Sequence, residues 1–338
     1  MGLSAEVIHD LAVQHRVGLS RFSTSVTFRV LALLNRMTDE IKDRLARTDN
    51  ESVSGQRLEA LLTELRAIQT AGWRLIADRV NADVADLADA ESRFALRLAG
   101  IPDQPTVTAI FGPLPSLEQI VAAVNARPFQ GRYLREWLSG AEANTAARVR
   151  DAVRQGFVEG RPVDEIVRII RGTRAAQYRD GLMEISRRGA EGMVRTALTH
   201  TANVAAQATW EANSDVVQAW RFVATLDART TLICAGLHGK VFPLGKGPQP
   251  PRHIACRSIS IPVVAAIEGV ASFELPTYNA WLRRQPVAVQ EDILGVAKAK
   301  LFRDGGLKID RFTDSRGRVL TLAELRRLDL EAFERAGL

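Results

Sequence analysis

A chain of 338 residues, 46% hydrophobic and 25% charged, has the balance of a folded protein and excludes a disordered one, and its length asks for more than one core. Two cysteines exclude a disulfide-built scaffold, and no uninterrupted apolar run reaches the roughly 20 residues that cross a bilayer. The net charge of +6 is uneven, −3 over residues 1–126, +5 over 127–188 and +4 over 189–338, so any phosphate contact belongs to the middle and C-terminal parts, where a solvated face would show the same excess.

The first residues, MGLSAEVIHDLAVQHR, lack the basic-then-apolar layout of a signal peptide, which predicts a protein made in the cytoplasm and not exported. Residues 5–98 show apolar positions at three- and four-residue intervals, broken by the polar stretch RTDNESVSGQ. The expectation for residues 1–100 is a long helical hairpin or bundle, whose apolar stripe serves either its own core or a neighbouring subunit.

Pro102, Pro105, Pro113, Pro115 and Pro128 end the long helices near Gly100 and make residues 101–139 a linker. One short helix is expected there, in LEQIVAAV, with Ser116 as its cap. Two helices follow, in AEANTAARVRDAVRQGFVEG and RPVDEIVRIIRG, closed by Gly160 and Gly172, with Pro162 opening the second.

From Ala190 a helix of small residues leads to the strand-like VVQAWRFVATLDART, and after a glycine-rich loop RSISIPVV alternates at period two. Pro262 suits that stretch to an edge strand, and the small residues suit the helix to close packing on a sheet. Residues 140–265 are therefore expected to form a small α+β core domain.

Residues 266–338 read as a mostly helical tail, split at Pro286, with a DSRG turn and a last helix opened by a Thr321/Glu324 capping box. The predicted fold class is α+β: helical hairpin or bundle, α+β core, helical extension. No internal repeat is present.

Chemistry concentrates in LICAGLHGKVFPLGKGPQPPRHIACRS, residues 232–258, which holds both cysteines. Cys234-x3-His238 and His253-x2-Cys256 offer four ligands in two pairs, the form of many structural zinc sites. A glycine-rich clasp around a buried cysteine accounts for the same residues and is the commoner arrangement, so no cofactor is required and structural zinc is the alternative. A thiol nucleophile with His253 as base lacks an orienting group and a local signature, and a permanent disulfide does not suit a reducing compartment. GKVFPLGKGP has no Ser or Thr after either Gly-Lys pair, which removes a P-loop.

Asp227, Arg229 and Thr230 follow the strand, where either a site or an Asp-led turn is expected. Thr196 and His200 lie four apart on one helix face beside Arg195, as a cleft or as a polar seam.

The stretches VRTALTHTAN, AWRFVATLDARTTLICAGLHGKVF and PPRHIACRSISIPV resemble the phage Mu F-type head morphogenesis, or minor head protein, family. Arg195, Thr196, Asp227, Arg229, Thr230, Cys234, Gly239, Lys240, His253, Cys256 and Arg257 occupy the places of that family's motif. Thr231 stands where many members carry a further cysteine, which weakens a zinc site transferred from them and leaves His238 as the nearby substitute.

The resemblance implies a virion protein in a few copies, inside the head near the portal and in the host cytoplasm during assembly. It implies a role in head assembly or DNA packaging, and ejection with the DNA is part of the same picture. The implied partners are portal protein, capsid or scaffolding protein and double-stranded DNA, with no membrane in the assembled head. Similarity to small RNase folds adds an alternative, a nucleic-acid-cleaving enzyme acting through His200, Asp227, Arg229 and His253, although no complete catalytic set is visible and a non-enzymatic protein is expected.

Overall fold

The computed structural model describes residues 5–48, 54–101, 115–264, 276–314 and 317–338. The expectations for Pro102, Pro105, Pro113, residues 49–53 of the polar break, and Ser315 and Arg316 of the DSRG turn lie outside the described residues. The described chain is α+β and mostly helical, as expected, and divides into two compact units. Unit 1 comprises residues 1–16, 90–116 and 202–338, and unit 2 residues 17–89 and 117–201. The units interleave along the chain, because helices α1 (Ala5–Ala46), α2 (Gly55–Leu98) and α6 (Leu182–Glu211) each contribute to both. Packing therefore draws on distant parts of the chain.

In unit 2, α1 and α2 run antiparallel. Arg29 reaches Asp83 at 2.8 Å, Met37 faces Gly72, and Arg44 pairs with Glu64, so partners on one helix fall as those on the other rise. Val26, Val30, Leu34, Met37, Ile41 and Leu45 are buried at three- and four-residue steps, with Leu61, Leu65, Trp73, Ile76 and Val80 on α2. Gly72 is where the helices need a small residue, since a Cβ there would stand 2.7 Å from Met37 Sδ. By length and composition alone, the stretch Val7–Ala46 is apolar enough to cross a membrane, which a search for uninterrupted apolar runs passes over.

Helices α3 (Leu117–Ala126), α4 (Leu134–Val158) and α5 (Val163–Arg171) complete unit 2 with the first part of α6. Helix α4 starts seven residues before the stretch read from the sequence. The Tyr133 N–H donates to Glu136 Oε2 at 2.9 Å, a cap that a tyrosine does not advertise. Gly172, at φ 94°, ends α5, and Asp180 holds the following loop by accepting from Thr173 N–H at 2.8 Å and Thr173 Oγ1 at 2.7 Å.

Unit 1 contains a three-stranded antiparallel sheet of order β2-β1-β3, with β1 Val217–Val223, β2 Val241–Pro243 and β3 Ile259–Val264. Trp220 lies between Phe242 and Pro262, and Pro262 sits on an edge strand, where its missing N–H costs no ladder bond. The end of α6 covers the sheet: Ala206 and Trp210 share a core with Trp220, Phe222, Cys234, Cys256, and with Ala95 and Leu96 of α2. Asn203 Oδ1 accepts the Ser260 N–H at 2.8 Å, capping the open edge of β3.

Beyond the sheet come α8 (Tyr278–Arg283), α9 (Val287–Leu294), α10 (Val296–Arg303), a 3-10 turn (Ile309–Phe312), α11 (Leu322–Leu328) and α12 (Leu330–Ala336). They gather around Leu282, Leu301, Phe302, Ile309, Phe312 and Phe333. The chain breaks at Pro286 as read, and again at Gly295. Thr321 and Glu324 form the expected capping box, the Thr321 N–H donating to Glu324 Oε2 at 2.8 Å.

Candidate functional site

The end of β1 runs into a turn organised by Asp227. Its carboxylate accepts from the Arg229 N–H at 3.0 Å and from Thr230 Oγ1 at 3.1 Å, while Thr230 Oγ1 also donates to the Thr225 carbonyl. Arg257, the residue after the second cysteine, closes on the same carboxylate with Nη1 at 2.5 Å from Oδ2 and Nη2 at 2.6 Å from Oδ1. That bond holds Asp227 below its ordinary range, and Asp227 in turn raises Arg257. Tyr278 O–H donates to the Asp227 carbonyl at 2.9 Å, fastening the C-terminal helices to this turn.

The short helix α7 (Leu232–Leu237) follows and buries Cys234. The other cysteine stands on a tight turn, in which the Cys256 N–H donates to the His253 carbonyl at 3.2 Å and Ala255 takes φ 56°. Residues i and i+3 of this turn are thus brought together, and Cys256 meets Cys234 with their sulfurs 3.7 Å apart. One ligand atom from each of Cys234, His253 and Cys256 lies within 4.8 Å of the others. The Cys256 hydrogen bond and burial push the Cys234 thiol up, while the Cys234 hydrogen bond and then His253 hold Cys256 down against burial. The Cys256 contact raises His253.

His238 stands outside this cluster. Its Nδ1 accepts the Ala224 N–H at 3.0 Å and its Nε2 donates to the Pro276 carbonyl at 3.0 Å, so both ring nitrogens are engaged, and burial lowers its pKa. Gly239 and Lys240 pair with β1: the Gly239 N–H donates to the Phe222 carbonyl at 2.8 Å and the Phe222 N–H to the Lys240 carbonyl at 2.9 Å. Lys240 Nζ lies 3.8 Å from Asp310. The glycine-rich loop beyond β2 is held by Trp220 Nε1, which donates to the Lys246 carbonyl at 2.9 Å, and at Gly247 a Cβ would fall 2.5 Å from the Phe242 ring.

Arg195, Thr196 and His200 belong to unit 2. Arg195 bonds Glu191 on its own helix at 3.0 Å, and Thr196 Oγ1 donates to the Gly192 carbonyl. His200, buried beside Phe129, donates from Nε2 to the Val124 carbonyl at 3.2 Å, and burial lowers its pKa. Thr196 and His200 share a buried seam of α6 as their spacing predicts.

The sequence reading missed two participants, both distant in the chain. Arg16 of α1 is buried deeply enough to bring its pKa down to about 10, against the opposing fields of Cys256, Glu91 and Asp227, with Arg257 adding to the lowering. Tyr278 is the second. No local spacing signals either residue.

The arrangement is therefore a structural clasp with a soft three-donor cluster at its centre, built of Asp227, Thr230, Cys234, His253, Cys256 and Arg257. No curated protein and no solved structure matches the chain. Residues 147–261 match the model of the family described as Phage Mu protein F like protein, and all six clasp residues fall inside that match. This segment, which carries the whole motif, is similar to the Phage Mu protein F like family.

Proposed function

We propose that the chain is a minor head protein of a tailed phage, associated with the portal protein in the procapsid and acting in head assembly and DNA packaging. The observation that carries this reading is the family match over residues 147–261. The α1–α2 hairpin of unit 2 supplies the protein-docking surface: Phe28 and Leu75 stand 66% and 50% exposed, side chains that gain most from being covered by portal, capsid or scaffolding protein. The arginine excess of residues 127–188 is the part suited to double-stranded DNA, and the same residues leave with the DNA if the protein is ejected.

The role is structural and not enzymatic in this reading. Asp227 is engaged by Arg257, Arg229 and Thr230, and the His200 ring by Val124, so neither is free for proton transfer.

Capture of the full-length chain by purified portal protein tests the proposal. Wild type is retained, and Phe28→Glu with Leu75→Glu weakens retention by at least about 10-fold, as loss of roughly 1.4 kcal/mol would. Equal retention of the two proteins would remove the hairpin as the docking surface. Incubation with labelled RNA and DNA checks the enzymatic side, and cleavage by wild type that His253→Ala abolishes would replace this reading by a nuclease.

A further inference from the structure

We propose that Cys234, His253 and Cys256 bind one zinc ion as a three-ligand site, with a solvent molecule in the fourth position. This inference is independent of the head-protein reading and rests on geometry. Two thiolates on zinc at about 2.3 Å with a tetrahedral angle stand roughly 3.8 Å apart, and the Cys234 and Cys256 sulfurs are 3.7 Å apart. The third donor is already in place, since all three ligand atoms lie within 4.8 Å of one another.

Local structure prepares these donors. His253 and Cys256 are the first and last residues of a hydrogen-bonded turn, and Cys234 projects from α7. His253 Nδ1 lies 2.9 Å from the Ile254 carbonyl, the backbone contact that commonly fixes a ligating imidazole and leaves Nε2 to offer its lone pair. Two sulfurs and one imidazole form a soft donor set that favours zinc over magnesium or calcium. Both cysteines bind as thiolates, and the thiol protons displaced on binding pass to solvent.

His238 takes no part, because its two nitrogens already hold Ala224 and Pro276. The fourth corner is left to solvent, and the Thr231 hydroxyl, which interacts with Cys234, is the neighbouring polar group. The alternatives fit less well. A disulfide requires the sulfurs to approach to about 2.05 Å, and a nucleophilic Cys256 would act from a side chain only 1% exposed.

Cobalt(II) titration of the reduced, full-length protein, alongside its zinc content after purification without chelator, tests the site. The expected result is about one metal per chain, with the strong visible bands of tetrahedral cobalt and a thiolate charge-transfer band sized for two sulfurs. His253→Ala should weaken cobalt binding by more than the roughly 10–100-fold typical of outer-shell changes, while His238→Gln retains the spectrum. Because a cysteine variant can fail to fold, the wild-type spectrum is decisive by itself. Absence of metal and of a cobalt spectrum in the reduced wild type overturns the proposal, as does binding that survives His253→Ala.

Discussion

Arg257 meets Asp227 through two parallel hydrogen bonds, one from each terminal nitrogen to each carboxylate oxygen, across 30 residues of chain. The pair fixes the residue after the second cysteine to the turn after β1. It thereby holds the glycine-rich loop between them as a closed unit.

Asp227→Asn should lower stability by about 1–2 kcal/mol, a charge-assisted bond discounted because both side chains are about one-third exposed. Asp227 is held below its unfolded value, so its contribution is complete above the ordinary carboxylate pKa of about 3.9 and is lost as pH falls through the lower folded value. Urea midpoints should therefore differ between wild type and variant at pH 7 and converge in acid.

His238 has the same sign with a different cause. Burial lowers its pKa, so the folded chain prefers the neutral ring whose Nδ1 accepts the Ala224 N–H. The stabilisation is present above an unfolded value of about 6.5 and declines as pH falls toward the folded one. Melting temperature should drop between pH 7 and 5, and His238→Gln should reduce that slope. Some slope will remain, because burial also lowers His200.

In the hairpin, Asp83 is 1% exposed and accepts from Arg29 at 2.8 Å and Arg79 Nε at 2.9 Å. Asp83→Ala removes the acceptor and leaves two partly exposed arginines able to turn to solvent, for an expected loss of about 1–3 kcal/mol. Chemical denaturation measures it. Arg29→Ala should cost less than Asp83→Ala, since Arg79 still covers the carboxylate.

Gly247→Ala joins two penalties. The residue has φ 90°, and its new Cβ would stand 2.5 Å from the Phe242 ring. A loss of roughly 1–3 kcal/mol is expected, read as a lower melting temperature.

Much of this architecture was legible because its determinants are local. Three- and four-residue steps marked both hairpin helices, Pro262 marked an edge strand, and Thr321 with Glu324 marked a helix start. His253 and Cys256 could be paired from spacing, since a turn joins residues three apart. His238 shows the limit of that reasoning. Helix α7 ends at Leu237, and the extended backbone at His238, ψ 129°, carries its ring to Ala224 and Pro276 instead of toward Cys234. Arg16 and Tyr278 reach the clasp from opposite ends of the chain, and the interleaving of the units is equally invisible, because periodicity reveals an apolar face without naming the face that covers it.

That interleaving sets an order of events during synthesis. Unit 2 has all its residues once position 201 has left the ribosome, whereas Ile8 and Ala12 of unit 1 must await Val223 and Ile261. At about 5–20 residues per second, the N-terminal turns of α1 spend on the order of ten seconds or more without their covering strands. The nascent chain therefore carries an apolar start that Leu98 and Phe94 can cover only in part until the sheet is made, and a chain cut short before residue 217 never completes that cover. Synthesis through β3 becomes the step that lets Val223 and Ile261 cover the N-terminal turns of α1.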